Sequence, residues 1–549
     1  MPVQPKLRRL SFTVLFLTIT CSLLHIGCHT PTPDEKGKAL ADKYCSSCHL
    51  PVSPDLLDKE TWTKHVLPEM APKLGIKVWS GDHYYPPMPG DKPALISIKE
   101  WTELVAYYQR TAPEKLTPAT PPVALQHDWS VFSLQLPQVK DTHLVAATTM
   151  VSFLPAGGVL TSDENNTLTK WDTAWRTVNT RQIPSPATDA LYTKDSAGHP
   201  QTILTEIGHL RALDVPAGII TSIDPDAPQR KQADIMPFLK RPVQTLAADF
   251  DKDGLEDLLV CAFGHKQGGL YWLKQLPDHH FKQLPIWEVP GAIHAETGDF
   301  NHDGYTDIMV LFAAGDEGIW LFENDRKGGF VSKNLLRFPP LNGSTSFQLL
   351  DFNGDGQLDI LYTCGDNMDF SMVLKPYHGL YVYIGEGNNK YRLAWHYPVN
   401  GCTKAVAGDF NQDGKPDIAA IAFFADLQHN PSEKFIFFEG GKTPLTFTPH
   451  APPIEKEGRW ICMDVKDYDH DGDLDIVLGN YAKGFIILDH YKPDWKEYQP
   501  FIVLQNNSKH QLQRKIGLFI WNESRNMYLT AVIYCCVHYC LFQSRGQGE

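Results

Sequence analysis

Apolar runs of strand length recur along the second half of the chain, and each follows a polar segment rich in Asp and Gly. The runs read LLVCAF, IMVLFA, ILYTC, IAAIAFF and IVLGN, and they begin at residues 258, 308, 360, 418 and 476. Their length and their β-branched and aromatic content are typical of strands. Because polar residues do not alternate with apolar ones, we expect these strands to be buried on both faces.

A different periodicity marks residues 95–110, LISIKEWTELVAYYQR. Its apolar side chains recur every three or four residues, which predicts an amphipathic helix with the apolar face Ile98, Trp101, Leu104, Val105 and Tyr108. Residues 34–44, DEKGKALADKY, predict a polar first helix, and the Pro-containing YYPPMPGDKP at residues 84–93 predicts a loop. We therefore expect a small all-α domain over residues 33–112, followed by a Pro-rich linker over residues 113–124.

The polar segments form an internal repeat. DFDKDGLED, DFNHDGYTD, DFNGDGQLD, DFNQDGKPD and DYDHDGDLD begin at Asp249, Asp299, Asp351, Asp409 and Asp467, so that their spacings are 50, 52, 58 and 58 residues. Every copy has Asp at positions 1, 5 and 9, Asp or Asn at position 3, Gly at position 6 and an aromatic residue at position 2. One copy would indicate only an Asp/Gly turn. Five copies in register indicate a repeated architecture.

Carboxylates at alternate positions of a tight loop suit calcium, because Ca²⁺ takes six to eight oxygen ligands and Gly permits the sharp bend. The loops lack the Glu at position 12 that completes an EF-hand, and predicted strands flank them in place of helices. We therefore predict up to five calcium sites. Their candidate ligands are Asp249, Asp251, Asp253, Asp257, Asp299, Asn301, Asp303, Asp307, Asp351, Asn353, Asp355, Asp359, Asp409, Asn411, Asp413, Asp417, Asp467, Asp469, Asp471 and Asp475.

The loops resemble those of the FG-GAP and VCBS repeats, which build β-propeller blades with calcium at an inter-strand loop. The resemblance covers residues 240–490. Two hairpin patterns without the Asp loop, beginning at Gly157 and Asp189, predict two further blades. The expected fold is an all-β seven-bladed propeller over residues 125–507, with six or eight blades as alternatives. FIVLQNN, residues 501–507, is expected to close the ring with the first blade.

The segment ADKYCSSCHLP, residues 41–51, places a His directly after a Cys-x-x-Cys pair. Such a pair can form a redox disulfide, supply half of a zinc site or, with the following His, attach a c-type haem. No second ligand pair lies nearby for zinc, and a polar helix precedes the motif where a redox motif would follow a strand. Haem attachment is the favoured hypothesis: Cys45 and Cys48 would carry one covalent haem (heme c), and His49 would be the proximal iron ligand.

The distal ligand has several candidates. Met88 lies in the Pro-rich loop and is followed by Pro89 and the last helix, an arrangement that resembles the distal side of class I c-type cytochromes. Met70 is the alternative, and His65 and His83 are weaker candidates. Methionine ligation would raise the reduction potential of the haem relative to bis-histidine ligation.

The N-terminus predicts export. Lys6, Arg8 and Arg9 precede the apolar LSFTVLFLTITCSLL, which is the pattern of a signal peptide. IGC, ending at Cys28, resembles the lipobox of bacterial lipoproteins. This implies a signal peptide over residues 1–28, lipidation of Cys28 and a location in the bacterial cell envelope, in the periplasm or at the outer membrane. An ordinary secretory signal is the alternative.

Charge and missing motifs exclude several classes of function. The formal net charge is −14, no basic stripe indicates nucleic-acid binding, and much of the acid excess lies in the predicted calcium loops. No phosphate-binding loop, dinucleotide fingerprint or nucleophile elbow occurs. Residues 508–549 continue neither the repeat nor the strand pattern, so we expect this tail to lie outside the fold.

The signal, the CxxCH domain, the linker and the repeats together resemble bacterial envelope proteins that fuse a small cytochrome c to an FG-GAP propeller. The resemblance implies an electron-transfer lipoprotein and not an enzyme, with a redox partner protein and with a protein or glycan ligand on a propeller face. Two alternatives stay open: a propeller dehydrogenase that passes electrons to its fused cytochrome, and an adhesion propeller with an accessory haem. The Trp-rich docking repeats and the vicinal disulfide of quinoprotein propellers do not occur in residues 125–507.

Overall fold

The computed structural model describes residues 31–139, 143–195, 198–368, 372–483 and 492–509. Its contacts divide the described chain into two compact units, residues 31–47 with 53–115 and residues 48–52 with the described residues from 116 to 509. The predicted signal peptide with Cys28 and residues 510–549 of the predicted tail lie outside the described residues. Within the described ranges, no helix is both long and apolar enough to cross a bilayer.

The first unit is mainly helical. Its segments are α1 (Pro33–Tyr44), the 3₁₀ turns Cys45–Ser47 and Pro54–Leu56, α2 (Lys59–Thr61), the π-helical turn Trp62–Val66, α3 (Leu67–Met70), the 3₁₀ turn Ala71–Leu74, β1 (Lys77–Val78), β2 (Tyr84–Tyr85) and α4 (Ile98–Thr111). Capping boxes begin the two longer helices, with Thr32 and Glu35 at α1 and Ser97 and Glu100 at α4.

The two longer helices pack against each other at a glycine. A Cβ atom on Gly37 of α1 would collide with Tyr107 of α4, so only glycine permits this close approach. The predicted apolar face of α4 is buried at Trp101, Leu104, Val105 and Tyr108. The antiparallel pair of β1 and β2 differs from the expected all-α domain. Its second strand precedes Pro86, and a residue before proline favours the extended conformation.

Seven four-stranded antiparallel sheets make up the second unit, which confirms the predicted seven-bladed β-propeller. In chain order the strands are β3 (Phe132–Gln135), β4 (Thr148–Phe153), β5 (Val159–Asp163), β6 (Thr167–Trp171), β7 (Thr177–Gln182), β8 (Ala187–Lys194), β9 (Pro200–Glu206), β10 (Gly218–Ile223), β11 (Ala233–Leu239), β12 (Pro242–Ala248), β13 (Asp257–Ala262), β14 (Gly269–Gln275), β15 (Phe281–Trp287), β16 (Ala292–Gly298), β17 (Asp307–Phe312), β18 (Gly318–Asn324), β19 (Phe330–Arg337), β20 (Ser344–Leu350), β21 (Asp359–Cys364), β22 (Gly379–Gly385), β23 (Tyr391–Pro398), β24 (Cys402–Gly408), β25 (Asp417–Ala422), β26 (Phe435–Gly440), β27 (Phe447–His450), β28 (Trp460–Lys466), β29 (Asp475–Asn480) and β30 (Phe501–Asn506), with a 3₁₀ turn at Pro431–Lys434.

The first strands of the sheets, β4, β8, β12, β16, β20, β24 and β28, contact one another in a closed ring. The apolar runs of the sequence become the second strands β13, β17, β21, β25 and β29. Every residue of these strands is buried, as the absence of polar alternation predicts.

The ring is closed by strands from the two ends of the propeller sequence. β30 is the third strand of the last sheet, and its outer neighbour is β3, so that Phe132 pairs with Asn506. The predicted strand over residues 501–507 therefore exists, and its partner precedes the first complete sheet in the chain.

Polar side chains on the first strands connect neighbouring sheets. Gln244 accepts a hydrogen bond from the backbone nitrogen of Ala295 at 2.7 Å, and Gln348 accepts one from Ala407 at 2.7 Å. Each bond joins the first strand of one sheet to the first strand of the next. Such bonds hold the relative positions of the blades, and therefore of the loops between their strands.

Candidate calcium loops and haem-attachment motif

The five Asp loops connect the first strand of a sheet to the second and share one backbone conformation. The residue at position 4 has a φ between 58° and 75° in every loop, and Gly at position 6 has a φ between 83° and 96°. Left-handed backbone of this kind favours glycine, which explains the Gly at position 6 of every copy. The repeated motif therefore folds into the same turn in all five blades that carry it.

The Asp residues at positions 1 and 5 are held by backbone donors of their own loop. Oδ2 of position 1 accepts a hydrogen bond from the nitrogen of the Gly at position 6 in all five loops, at 2.8–3.0 Å. Oδ1 of position 5 accepts one from the nitrogen of position 7, at 2.8–3.1 Å. These Asx-type bonds fix the carboxylates and leave acceptor capacity on them for a cation.

The Asp at position 9 begins the second strand and is 0% exposed in every loop. Its Oδ1 accepts a hydrogen bond at 2.6–2.8 Å from the backbone nitrogen of the last residue of the third strand. Burial raises the pKa of this carboxyl group in all five loops, to about 7 at Asp417 and to about 8 at Asp475. A bound divalent cation would favour the ionised form again.

The first and last loops each gather three carboxylates. One oxygen from each member lies within 4.8 Å of the others in the sets Asp249, Asp251 and Asp257, and Asp467, Asp469 and Asp475. Within these two sets, four buried oxygens accept no hydrogen bond from described residues: Asp249 Oδ1, Asp251 Oδ1, Asp467 Oδ1 and Asp475 Oδ2. Buried acceptors without donors are costly, and a hard cation would satisfy them. These two loops fit calcium.

The three middle loops carry Asn at position 3 and have other contacts. Asp303 in the second loop accepts hydrogen bonds from Arg326 at 3.0 and 2.7 Å. The amide of Asn353 in the third loop donates to Asp355 at 2.9 Å. Among the described residues, clusters of three carboxylates within 4.8 Å occur in the first and last loops and not in these three.

A third-strand residue that the sequence analysis missed faces position 3 in three of the loops. Lys274 forms an ion pair with Asp251, Gln505 donates to Asp469 at 3.2 Å, and Glu439 accepts from Asn411 at 3.3 Å. Each is the penultimate residue of its third strand, next to the residue that binds the Asp at position 9. The sequence predicts the third strand of each blade, but it does not show which residue of that strand lies beside the Asp loop.

The CxxCH motif begins directly after α1. Cys45 is the C-cap residue of that helix and is half-buried, whereas Cys48 is exposed. Nδ1 of His49 lies 2.7 Å from the carbonyl oxygen of Leu50. If Nδ1 carries the proton and donates it there, the lone pair of Nε2 is available to a metal, which is the arrangement common in metal-ligating histidines. The motif fits a haem iron ligand, although the helices of this unit do not by themselves define a cytochrome fold.

The structure leaves both methionines as candidates for the distal ligand. Met88 follows β2 and is 64% exposed, and its backbone nitrogen donates to Asp91 at 2.6 Å. Met70 ends α3 and is half-buried. His65 and His83, the weaker candidates, are both exposed.

Comparison with known families identifies the repeat. A family model described as FG-GAP-like repeat matches residues 249–310 and 299–362, which include the first three Asp loops. The chain therefore contains FG-GAP-like repeats, and they form part of a seven-bladed β-propeller. No curated protein matches the chain.

Solved propellers resemble the second unit at low identity. BBS1N, from a crystal structure in complex with ARL6DN, has 11% identity and a TM-score of 0.42, covering 69% of this chain and 98% of that one. The β-propeller domain of Myceliophteria thermophila Cps50 (Swd1) has 10% identity and a TM-score of 0.39, with 68% and 99% covered. The Neurospora crassa Pan2 WD40 domain has 8% identity and a TM-score of 0.41, with 69% and 97% covered. Similarities at this level carry no information about function.

Proposed function

We propose that this protein is an exported, lipid-anchored c-type cytochrome that carries single electrons, and that its propeller is a calcium-stabilised docking or recognition module. The observation that carries the haem part is the CxxCH motif at the end of α1, with Nδ1 of His49 against the carbonyl oxygen of Leu50. The observation that carries the calcium part is the set of buried, unsatisfied carboxylate oxygens in the first and last Asp loops.

In this proposal the residues of the CxxCH motif and the methionines have separate tasks. Cys45 and Cys48 would attach the haem through thioethers, Nε2 of His49 would bind its iron, and the sulphur of Met88 or Met70 would be a further iron ligand. The haem supplies one-electron chemistry when it is bound. The protein holds it covalently, sets its potential through the ligands and directs its exposed edge to a partner.

The spectrum of the purified protein tests the haem assignment. The full chain, expressed with a cytochrome c maturation system, is expected to keep a c-type haem absorbance after denaturation and reduction. Replacing both Cys45 and Cys48 with Ser should remove it, whereas Cys261→Ser, a matched change in a propeller strand, should not. Absence of covalent haem from the unmodified protein would contradict the proposal.

Calcium gives the propeller its proposed rigidity. An ion bound only by the folded state adds RT ln(1 + [L]/Kd) to the free energy of unfolding. Chelation should therefore lower the melting temperature of the propeller and leave the haem spectrum unchanged. Direct calcium analysis of the purified protein provides the count of bound ions. A calcium-free protein whose melt is insensitive to both chelator and added calcium would reduce the five loops to structural turns.

The location and partners follow from the N-terminal segment and from the propeller. Lipidation of Cys28 would anchor the protein in the bacterial envelope, where a redox protein could reach the haem and a protein or glycan could bind a propeller face. The proposal assigns no catalytic residue to the propeller. Radiolabelled palmitate incorporation that is lost in Cys28→Ala would support the anchor, and release of the unmodified protein into the soluble periplasmic fraction would contradict it.

A further inference from the structure

The five loops differ at one place that the repeat motif does not include, and this difference concerns the cation. On the basis of the proposed calcium function, we infer that the penultimate residue of each third strand tunes the calcium affinity of the adjacent loop. Lys274 weakens the first loop by acting as a built-in counter-cation, and Glu439 strengthens the fourth by adding a carboxylate.

Corresponding residues are identified by a shared hydrogen bond. The last residue of each third strand donates its backbone N–H to Oδ1 of the Asp at position 9, at 2.6–2.8 Å in all five sheets. The residue before it therefore occupies one equivalent place beside the loop. Along the chain, this place is held by Lys274, Glu323, Ile384, Glu439 and Gln505.

In the first loop the third-strand residue is Lys274, and its ammonium group pairs with two of the predicted calcium ligands. The ammonium group of Lys274 forms an ion pair with Oδ2 of Asp251 and lies 3.2 Å from Oδ2 of Asp253, the predicted ligands at positions 3 and 5. The side chain of Lys274 is only 27% exposed. A calcium ion that uses these oxygens must displace the ammonium group or bind beside a positive charge.

In the last loop the corresponding third-strand residue is Gln505, which carries no charge. The amide of Gln505 donates to Oδ2 of Asp469 at 3.2 Å. Asp475 is 0% exposed, and its Oδ2 and the Oδ1 of Asp467 accept no hydrogen bond from any residue that the structure describes. This loop presents five Asp side chains, and its lysine contact, Lys509, binds the carbonyl oxygen of Asp471 and not a carboxylate at the equivalent place, so it should bind calcium more tightly than the first.

In the fourth loop the same place is acidic. Oε1 of Glu439 lies 3.3 Å from the amide nitrogen of Asn411 at position 3, and Oε2 lies 3.4 Å from Nε2 of His450. Oδ1 of Asn411 accepts a hydrogen bond from the nitrogen of Asp413 at 3.0 Å and so already faces the loop, while its amide nitrogen holds Glu439 beside it. Ligand charge is one of the quantities that set calcium affinity, so this glutamate compensates for the Asn at position 3.

The remaining two loops are intermediate in this scheme. Glu323 forms an ion pair with Lys333, which neutralises it, and Ile384 carries no charge. In the second loop Arg326 also binds Asp303 from outside the strand. In the fourth loop Lys415 lies 3.2 Å from Oδ2 of Asp413. The third-strand residue alone therefore favours calcium most in the fourth and fifth loops and least in the first.

Calcium titration of the full chain with Lys274→Gln tests the inference, since Gln is the residue of the last loop. After removal of calcium, isothermal titration is expected to show the weakest step tightened by about tenfold, the result of removing one unit charge next to the ion. Equilibrium dialysis near the free calcium concentration of the weakest wild-type step should show up to one more bound ion per chain. The gain should shrink at high salt, because screening reduces the repulsion.

Two further variants make the outcome decisive. Lys282 pairs with Lys274 across the sheet, so Lys282→Gln removes the same charge without removing a loop contact. We expect it to leave the titration nearly unchanged, whereas Glu439→Gln should weaken one binding step. An unchanged isotherm in Lys274→Gln, or an equal gain in Lys282→Gln, would overturn the inference while wild-type calcium binding persists. Absence of calcium binding by the wild-type protein would instead reject the proposed calcium function.

Discussion

Replacing Asp475 with Asn should stabilise the calcium-free propeller, and calcium should reduce this gain because the variant lacks one ligand charge. Asp475 is 0% exposed, its Oδ1 accepts a hydrogen bond from the nitrogen of Asn506 at 2.8 Å, and its Oδ2 has no donor among the described residues. Burial, together with the charges of Asp469 and Asp473, raises its pKa from 3.8 to about 8. An Asn can keep the bond to Asn506, and its amide nitrogen would then face the carboxylates of Asp467 and Asp469.

The sign and size of the effect follow from that pKa. Because the folded state binds the proton more tightly than the unfolded state, this group stabilises the calcium-free fold fully below pH 3.8, and the stabilisation is lost as the pH rises through 8. At pH 7 the loss corresponds to about three pKa units, or about 4 kcal/mol. The Asn variant does not lose this stability, because its side chain cannot ionise. In calcium at a hundred times Kd the wild type gains about 2.7 kcal/mol that the variant forgoes, so the advantage of the variant shrinks to about 1 kcal/mol.

Urea denaturation followed by Trp fluorescence measures both effects. We expect Asp475→Asn to unfold at higher urea than the wild type in chelator at pH 7, at nearly the same urea at pH 4, and with a clearly smaller difference from the wild type in calcium at pH 7. Asp278→Asn, a change at an exposed hairpin, is the matched control and should shift neither series. A variant that is less stable than the wild type in chelator at pH 7 would refute the buried-charge argument.

Three other changes test separate parts of the structure. Phe132→Ala in the closing strand should cost about 3–5 kcal/mol of unfolding free energy, since its ring packs edge-on against Phe437 at 5.1 Å, and urea denaturation measures the loss; a loss below 1 kcal/mol would mean that the strand does not close the ring. Truncation after Lys509 should leave the melt and the calcium content intact, because this lysine contacts the last loop, and loss of soluble protein would place the tail in the fold. Met88→Ala should abolish the near-infrared band of a methionine-ligated ferric haem, and loss of the band in Met70→Ala instead would reverse the ligand assignment.

Local chemistry made the loops predictable. A glycine at a left-handed position and carboxylates that bind nitrogens two to five residues away involve one short segment, so nine residues of sequence specify the turn. The propeller followed from repetition and from continuous apolar runs, and the first two blades followed from hairpin patterns without the Asp motif. The predicted α4 face depended on helical periodicity alone; it is buried at Trp101, Leu104, Val105 and Tyr108, and only partly buried at Ile98.

Long-range pairing was decided only by the tertiary structure. The pairing of Phe132 with Asn506 joins residues far apart in the chain, and no local pattern marks them as partners. The burial of Ser508 could not be predicted for the same reason. Its hydroxyl group donates a hydrogen bond to the carbonyl oxygen of Phe410, which lies in the preceding blade.

The sequence by itself determined the number, the spacing and the turn geometry of the five Asp loops, because these depend on contacts within nine residues. Only the tertiary structure decided which side chain faces each loop from the third strand. Strand register brings Lys274 to Asp251 and Gln505 to Asp469, and a shift of one residue would turn each of them to the other face of its sheet. The charge beside each predicted ion is therefore a property of the folded sheet.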